Sequence, residues 1–230
     1  VAEAWVAVRA VFARRGIEAP VCGLAYDLLF QVPWFGTQLR RAGAIPAAPA
    51  AAEAALARGE LVTVYPGGDL DACRAWPDRD KVELGGRKGF VRLALRAGVP
   101  VVPVVTHGGQ HMSVVLARGD RIARAMRLTK LRVNVFPIMA GPPFGVATVL
   151  TPPLTLPAAI TVQFLPALDW SRHGPGAADD PAVVDACYAE ITAAMQGAMD
   201  RLAEEHPHPL TDGVTRLLGA PLRALDPRRN

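Results

Sequence analysis

The spacing of apolar residues predicts a largely helical first quarter of the chain. Ala2 to Arg15 place apolar side chains at helical spacing, and Gly16 stops the pattern. The same periodicity indicates short helices at Tyr26–Val32 and Phe35–Ala42 and an alanine-rich helix at Ala50–Arg58.

The next pattern is typical of a parallel α/β sheet. Leu61–Tyr65 is an apolar, β-branched run that a Pro-Gly-Gly loop ends, as expected of a buried strand. A helix at Arg87–Ala97 and a strand at Pro100–Thr106 follow. This order predicts an α/β fold, a single domain with a mostly parallel central sheet flanked by helices. Ligands bind such sheets where strands end, and loops Pro66–Asp71 and His107–Gln110 follow predicted strands.

The second half of the chain is predicted to complete the domain. We expect a basic helix at Val114–Leu128, strands at Leu131–Ile138 and Thr161–Leu165, and a long helix at Pro181–Glu204. Residues 1–210 are assigned to one domain. Residues 211–230, close to a proline- and arginine-rich end, are assigned to a surface tail.

The composition favours a protein that contacts lipid. Of the 230 residues, 51% are hydrophobic, and the mean hydropathy is +0.21. From Val133 to Leu168 no side chain is charged. Because repeated prolines in this stretch would leave backbone carbonyls unpaired in a bilayer, we expect strands and apolar loops that touch a membrane surface, not a spanning helix.

The charge of the chain indicates an anionic partner. The net charge is +4 and the isoelectric point is near 9.3, with basic residues recurring from Arg118 to Arg132. This run fits contact with lipid headgroups or phosphorylated cofactors, or simply a solvated helix face. No aromatic residues alternate with it, so we do not expect nucleic-acid binding. Three widely spaced cysteines favour a reducing cytoplasm over secretion.

The loop after Leu61–Tyr65 carries the richest candidate chemistry. Gly67 and Gly68 would let the backbone approach a ligand and turn amide hydrogens towards a phosphate or a developing oxyanion. Asp71 and Arg74 add an acceptor and a forked cation. An ordinary strand-to-loop turn with an Asp–Arg surface pair would use the same residues, and the loop alone leaves both interpretations open.

Two cations open the next predicted helix. Arg87 and Lys88 lie within Gly86–Phe90, where free amides and the helix dipole favour an anion such as a phosphate of coenzyme A. Basic residues on an exposed first turn are the plain alternative. The glycine and lysine order of a Walker loop is absent.

In combination, these motifs resemble the glycerolipid acyltransferases, the superfamily of lysophospholipid and diacylglycerol acyltransferases that includes 1-acylglycerol-3-phosphate acyltransferase-like and diacylglycerol acyltransferase-like branches. The matching segments are Tyr65–Asp71, Arg74, Gly86–Arg92 and Gly98–Val104. The resemblance extends from about Tyr26 to Glu204, and several motifs in the expected order are far more specific than any one of them.

The resemblance implies transfer of a fatty acyl group from acyl-CoA to a hydroxyl of a glycerolipid or lysophospholipid. It implies acyl-CoA as a co-substrate, no other cofactor, no metal, and peripheral contact with the cytoplasmic face of a membrane. The implied substrate-binding residues are Tyr65, Pro66, Gly67, Gly68, Asp71, Arg74, Arg87 and Lys88.

Two parts of the family pattern differ here. In the family a histidine acts as general base and an aspartate five positions later orients it, but none of the five histidines of this chain has such a partner. We expect that box to precede Val1; otherwise the protein is a noncatalytic acyl-CoA- or lipid-binding module. The segment Gly43–Ala48 also lacks the family's phosphate-binding arginine, for which Arg40 or Arg41 could substitute. A serine hydrolase is disfavoured because the Gly-x-Ser-x-Gly motif is missing.

The histidine pair and the aromatic residues leave several roles open. His107 and His111 could line a pocket, supply a rival base or bind metal, but a zinc site needs a third ligand that the sequence does not identify. Exposed aromatics would form an acyl tunnel or enter a leaflet, whereas buried ones would be core. The residues concerned are Trp34, Phe35, Phe136, Phe144 and Trp170.

Overall fold

A computed structural model describes residues 2–224 except 17, 19, 128–133, 144, 149, 150 and 152. The α-helices are α1 (Ala2–Arg15), α2 (Pro33–Arg41), α3 (Pro49–Ala57), α4 (Gly68–Ala72), α5 (Gly89–Ala97), α6 (Asp120–Ala125), α7 (Pro181–Glu205) and α8 (Pro209–Ala224). The strands are β1 (Val21–Ala25), β2 (Ala44–Pro46), β3 (Leu61–Thr63), β4 (Val104–His107), β5 (Val114–Ala117), β6 (Ile138–Gly141), β7 (Gly145–Thr148) and β8 (Thr161–Phe164). Short 3-10 helices occupy Asp27–Gln31, Trp76–Asp78, Gly109–His111, Ser171–His173 and Pro175–Asp179.

A parallel three-stranded sheet with the order β2-β1-β3 lies beside the candidate site. In its central strand Gly23 is opposite Ala44 on one side and Thr63 on the other. Helix α3 packs on β2, β3 and α5. The predicted α/β class, with a parallel sheet flanked by helices, is confirmed, and two small antiparallel sheets accompany it.

Strand β4 does not join the parallel sheet, so the predicted strand–helix–strand pairing of Leu61–Tyr65 with Pro100–Thr106 is wrong. β4 pairs antiparallel with β8, and Val105 lies opposite Gln163. Because β8 follows more than fifty residues later in the chain, local periodicity carries no signal of this partner.

The predicted basic helix Val114–Leu128 is also wrong in its first part. Val114–Ala117 is strand β5, which pairs antiparallel with β6 through a register shift, and among the described residues of this segment only Asp120–Ala125 is α-helical. β-Branched Val114 and Val115 favour a strand. Gly119, in the left-handed conformation, separates strand from helix.

Part of the strand predicted at Leu131–Ile138 is also corrected. Residues 131–133 lie outside the described part of the chain, residues 134–137 are not in a strand, and β6 begins at Ile138. β6 pairs antiparallel with both β5 and β7.

The core lies between α5, α7 and the 3-10 helix Pro175–Asp179. Val91, Leu95, Val184 and Ile191 are buried there together with Trp170. The indole of Trp170 is 2% exposed, and its Nε1 donates to Glu190 at 2.9 Å. Trp170 is therefore a core residue.

Helix α7 also holds the irregular segment that leads to α5. The side chain of Gln196 accepts from the amide of Val82 at 2.8 Å and donates to the carbonyl of Asp80 at 3.0 Å. Two turns earlier on the helix, the hydroxyl of Tyr188 accepts from the amide of Gly86 at 3.1 Å. These contacts fix the path of residues 80–86.

The described residues between 134 and 168 form strands and loops, as the prolines predicted. Within the described ranges, no helix is long and apolar enough to cross a membrane. After residue 210, where we predicted a surface tail, the structure has helix α8. The carbonyl of Pro209 accepts from Ala159 at 2.8 Å, and Gly213 packs on Pro157. Residues 225–230 lie outside the described ranges.

Candidate functional site

The Pro-Gly-Gly loop packs tightly against its own protein neighbours. A Cβ on Gly67 would lie 2.0 Å from the carbonyl oxygen of Glu83, and one on Gly68 would lie 2.5 Å from Nη1 of Arg87. Gly68 also has a positive φ of 52°, a conformation that other residues rarely adopt. Packing against the backbone therefore requires glycine at position 67, and the positive φ favours glycine at position 68.

Hydrogen bonds within the loop also occupy some of its backbone amides. The amide of Gly68 donates to the carbonyl of Tyr65 at 3.1 Å, and that of Leu70 donates to Gly67 at 3.1 Å. Our interpretation that these glycines present amide hydrogens to a ligand is therefore wrong for Gly68, because its hydrogen closes a turn inside the loop.

Arg87 holds this loop in place. Its Nη1 donates to the carbonyls of Pro66 at 3.0 Å and Gly67 at 3.1 Å, and its Nη2 lies 2.7 Å from Asp69. Carbonyls and a carboxylate thus share one guanidinium. Its first role is to fix the loop, and the sequence did not predict that role.

Asp69 joins the loop to a distant segment. Its second carboxylate oxygen accepts from the backbone amide of Asn134 at 2.9 Å and from the side-chain amide at 3.1 Å. Burial raises the pKa of this carboxyl, but the bonds from Asn134 and Arg87 outweigh burial and hold the pKa below its usual value. Asp69 is therefore a charged structural anchor.

Asp71 and Arg74, both predicted site residues, lie together. Nε of Arg74 is 3.6 Å from the Asp71 carboxylate and donates to the Asp71 carbonyl at 3.1 Å. Nη1 of Arg74 also donates to the carbonyl of Lys81. Burial raises the pKa of Asp71, and Arg74 opposes that rise. The Arg74 side chain is only 8% exposed, so it supports the loop from within.

Lys88 points to a different neighbour. Its Nζ lies 2.6 Å from the Asp185 carboxylate and 5.9 Å from the ring centre of Tyr188. These contacts tie the beginning of α5 to α7. A phosphate would have to compete with Asp185 for this cation.

A cavity of about 360 Å³ lies beside the loop, between the parallel sheet, α3 and α5. Three predicted site residues, Tyr65, Pro66 and Arg87, line it. The remaining lining residues are Leu24, Ala47, Ala48, Pro49, Ala52, Glu53, Val64, Gly89, Phe90, Arg92, Leu93 and Arg96. The lining is mostly apolar, and arginines from α5 add positive charge.

Arg92 and Arg96 are lining residues that the sequence interpretation missed. Arg92 donates to the carbonyl of Ala178 at 2.5 Å, and Arg96 lies 2.8 Å from the Asp179 carboxylate. Their spacing of four residues places both on one face of α5. That spacing is visible in the sequence and could have identified the two arginines as neighbours. They supply cations near Ala47 and Ala48, the segment in which the family's arginine is missing.

A second cluster lies at the loop after β4. His107, at the end of that strand, and His111, in the next 3-10 helix, are buried beside Asp80. Nε2 of His107 is 3.7 Å from Oδ1 of Asp80, and the two imidazole rings are 5.6 Å apart. Burial lowers the pKa of both imidazoles, although Asp80 opposes it. Asp80 is the third group that the sequence did not identify.

The cavity combines a mostly apolar lining with arginine side chains, and comparison with known families gives the class. Residues 4–139 match the family described as diacylglycerol acyltransferase. The chain belongs to that family.

Several curated proteins are similar to this chain. An uncharacterised protein of Mycobacterium tuberculosis is 30% identical over 179 residues, covering 78% of this chain and 48% of the relative. A Mycobacterium leprae protein is 28% identical over 179 residues, covering 78% and 47%. A bovine DGAT1/2-independent enzyme synthesizing storage lipids is 28% identical over 155 residues, covering 67% and 45%. The chain thus spans about half the length of these relatives. No solved structure matches it.

Proposed function

We propose that this protein transfers a fatty acyl group from acyl-CoA to the hydroxyl of a glycerolipid or lysophospholipid. The observation that carries the proposal is the cavity beside the Pro-Gly-Gly loop, which combines an apolar lining with the arginines of α5 in a chain of the diacylglycerol acyltransferase family. A fatty acyl-CoA has the same two parts, an apolar chain and a phosphorylated carrier.

In this proposal the apolar wall holds the acyl chain. Apolar surface comes from Leu24, Val64, Phe90 and Leu93. Burial of the acyl chain against this surface is favourable by about 25 cal/mol for each Å² of apolar area removed from water. Tyr65 lines the cavity and is 52% exposed, and we assign it to contact with the incoming substrate.

We assign binding of the coenzyme A phosphates to the cavity-lining arginines of α5, and above all to Arg96. The pair of Arg96 with Asp179 is exposed, with side-chain exposures of 47% and 73%. Exposed pairs of this kind contribute little to stability because solvent screens them. A phosphate can therefore displace Asp179 at little cost. Displacing Arg87 would break its contacts with the Pro-Gly-Gly loop. We therefore assign Arg87 to orienting the loop and to supplying positive charge near the substrate.

The chemistry is addition to a thioester. The acceptor oxygen forms a bond to the acyl carbon, the carbon–sulfur bond breaks, and the hydroxyl proton passes to a base and then to the thiolate. We assign the base to the family's His-x4-Asp box, which residues 1–230 do not contain. The residues described above then bind and orient the substrates.

Peripheral contact with the cytoplasmic face of a membrane belongs to the same proposal. Val32, Trp34 and Phe35, at the beginning of α2, are 52%, 73% and 40% exposed. Arg40 and Arg41 are exposed at the other end of this helix. Exposed aromatics combined with basic residues favour an anionic lipid surface.

The full-length protein provides the test. It is incubated with labelled acyl-CoA and diacylglycerol, lysophosphatidic acid, glycerol phosphate or a lysophosphatidylcholine, and the lipid products are separated. A labelled ester with one acceptor class supports the proposal. Saturable acyl-CoA binding without any product would support the noncatalytic binding module instead.

A further inference from the structure

We propose that Asp80, His107 and His111 form a binding site for a divalent transition-metal ion of the zinc class. One ligand atom from each of the three residues lies within 4.8 Å of the other two. Two imidazoles and one carboxylate are a donor set that zinc uses, and coordination would require only small movements of side chains.

The burial of the histidines supports this assignment. His107 is 2% exposed and His111 is 8% exposed. Within the described part of the chain, Nδ1 of His107 has no hydrogen-bond partner. A buried polar nitrogen without a partner is uncommon in native proteins, so hydrogen bonding within the described residues does not account for the burial of His107.

The backbone brings the two histidines together through a tight turn and a 3-10 helix, without an α-helix. His107 ends β4, and Gly108 then turns the chain with a φ of 99°. A Cβ on Gly108 would lie 1.9 Å from the carbonyl oxygen of Ala159, so only glycine fits this turn. The amide of His111 donates to Gly108 at 3.0 Å and closes the 3-10 turn. The turn at Gly108 therefore brings the two histidines to the same place.

The carboxylate of Asp80 is positioned by its surroundings. Nε2 of Gln110 donates to its Oδ1 at 3.1 Å, and the backbone carbonyl of Asp80 accepts from Gln196 at 3.0 Å. Supporting contacts of this kind orient metal ligands in known sites. The side chain of Asp80 is 33% exposed, so an ion can enter from solvent.

Arg79 is the neighbouring cation that would oppose an ion. Its Nε lies 3.5 Å from the other oxygen of Asp80. Its guanidinium is stacked 4.8 Å from the ring centre of Trp76, and its Nη1 donates to the Trp76 carbonyl at 3.0 Å. These contacts hold it on the side of Oδ2, whereas Oδ1 faces His107.

Three protein ligands leave a coordination position free. Tetrahedral zinc with three protein ligands takes water or substrate as its fourth ligand. The proposed ion would also connect the end of β4 to the segment that follows the Pro-Gly-Gly loop. This inference does not depend on acyl transfer, and its test measures metal binding alone.

The test is titration of the metal-free, full-length protein with cobalt chloride, followed by visible absorption, and with zinc chloride, followed by calorimetry. We expect one equivalent to bind with the spectrum of cobalt in nitrogen and oxygen ligands. Asp80→Asn and His111→Gln should each weaken binding by at least about tenfold, since loss of supporting contacts alone has effects of that size.

Matched controls separate the site from general metal binding. Asp78→Asn changes a half-exposed carboxylate and His173→Gln changes an exposed histidine, both outside the cluster, and these variants should bind like the wild type. Asp80→Asn alters a partly exposed side chain, so it keeps the test decisive if the buried His111→Gln does not fold. Absence of stoichiometric binding to the wild type, a cobalt–thiolate spectrum, or unchanged affinity of Asp80→Asn would overturn the proposal.

Discussion

The tight packing of Gly67 gives a quantitative prediction. Gly67→Ala would place a methyl group 2.0 Å from the Glu83 carbonyl oxygen and 2.4 Å from Cβ of Asp71. Gly67 has φ −63° and ψ −34°, which alanine adopts freely, so contact alone sets the cost. Overpacking costs about 1–3 kcal/mol, and the lower entropy of the unfolded chain returns about 0.4–1 kcal/mol. Because an approach of 2.0 Å to a backbone oxygen is severe, we place the overpacking cost at about 2–3 kcal/mol and expect a net loss of about 1–2.6 kcal/mol.

Thermal unfolding followed by circular dichroism measures this loss. For a chain of this size, it corresponds to a melting temperature about 2–10 °C lower. Gly197→Ala is the matched control, because the nearest atom to its Cβ would be Nη1 of Arg201 at 3.7 Å, an ordinary contact within α7. The control should gain about 0.5–1 kcal/mol. A Gly67→Ala protein that melts at or above the wild type would refute the role of close packing at this loop.

Three further predictions concern charge and membrane contact. Arg96→Gln should weaken acyl-CoA binding severalfold with little effect on stability, whereas Arg124→Gln, at an exposed arginine, should change neither. Equal acyl-CoA affinities of Arg96→Gln and the wild type would contradict the assignment of Arg96 to a phosphate. Asp69 has a lower pKa folded than unfolded, so its stabilisation is present above its unfolded pKa and disappears as the pH falls through the folded value. Asp69→Asn should therefore reduce the slope of the free energy of unfolding against pH on the acid side, measured by urea titrations at several pH values. An unchanged slope would count against a stabilising role for the Asp69 charge. Trp34→Ala should lower cosedimentation with anionic vesicles while leaving the melting temperature unchanged, and full retention of binding would argue against membrane contact through α2.

Local periodicity predicted most helices because each presents its apolar spacing within one segment. It also predicted the class of the fold. It failed for β4 and β5, whose strand pairing depends on residues far along the chain. At Val114–Ala117, arginines further along the predicted segment suggested a helix, although the β-branched pair favours the strand that forms.

The candidate site was predictable in its location but not in its internal contacts. Tyr65, Pro66 and Arg87 follow from a loop at the end of a strand and from the beginning of the next helix. The use of Arg87 by loop carbonyls depends on the path of the backbone, which no residue spacing specifies. Asp80 was missed for the same reason, because it meets His107 only after folding.

The two attachments of residues 80–86 to α7 place a constraint on how this region can change in evolution. Gln196 and Tyr188 are eight residues apart, about 12 Å along a helix. The connecting segment must span that interval to reach both. An insertion or deletion between Val82 and Gly86 would therefore detach one end unless α7 changed as well. We expect length variation among relatives to fall outside this interval, and an alignment of full-length homologues would test that.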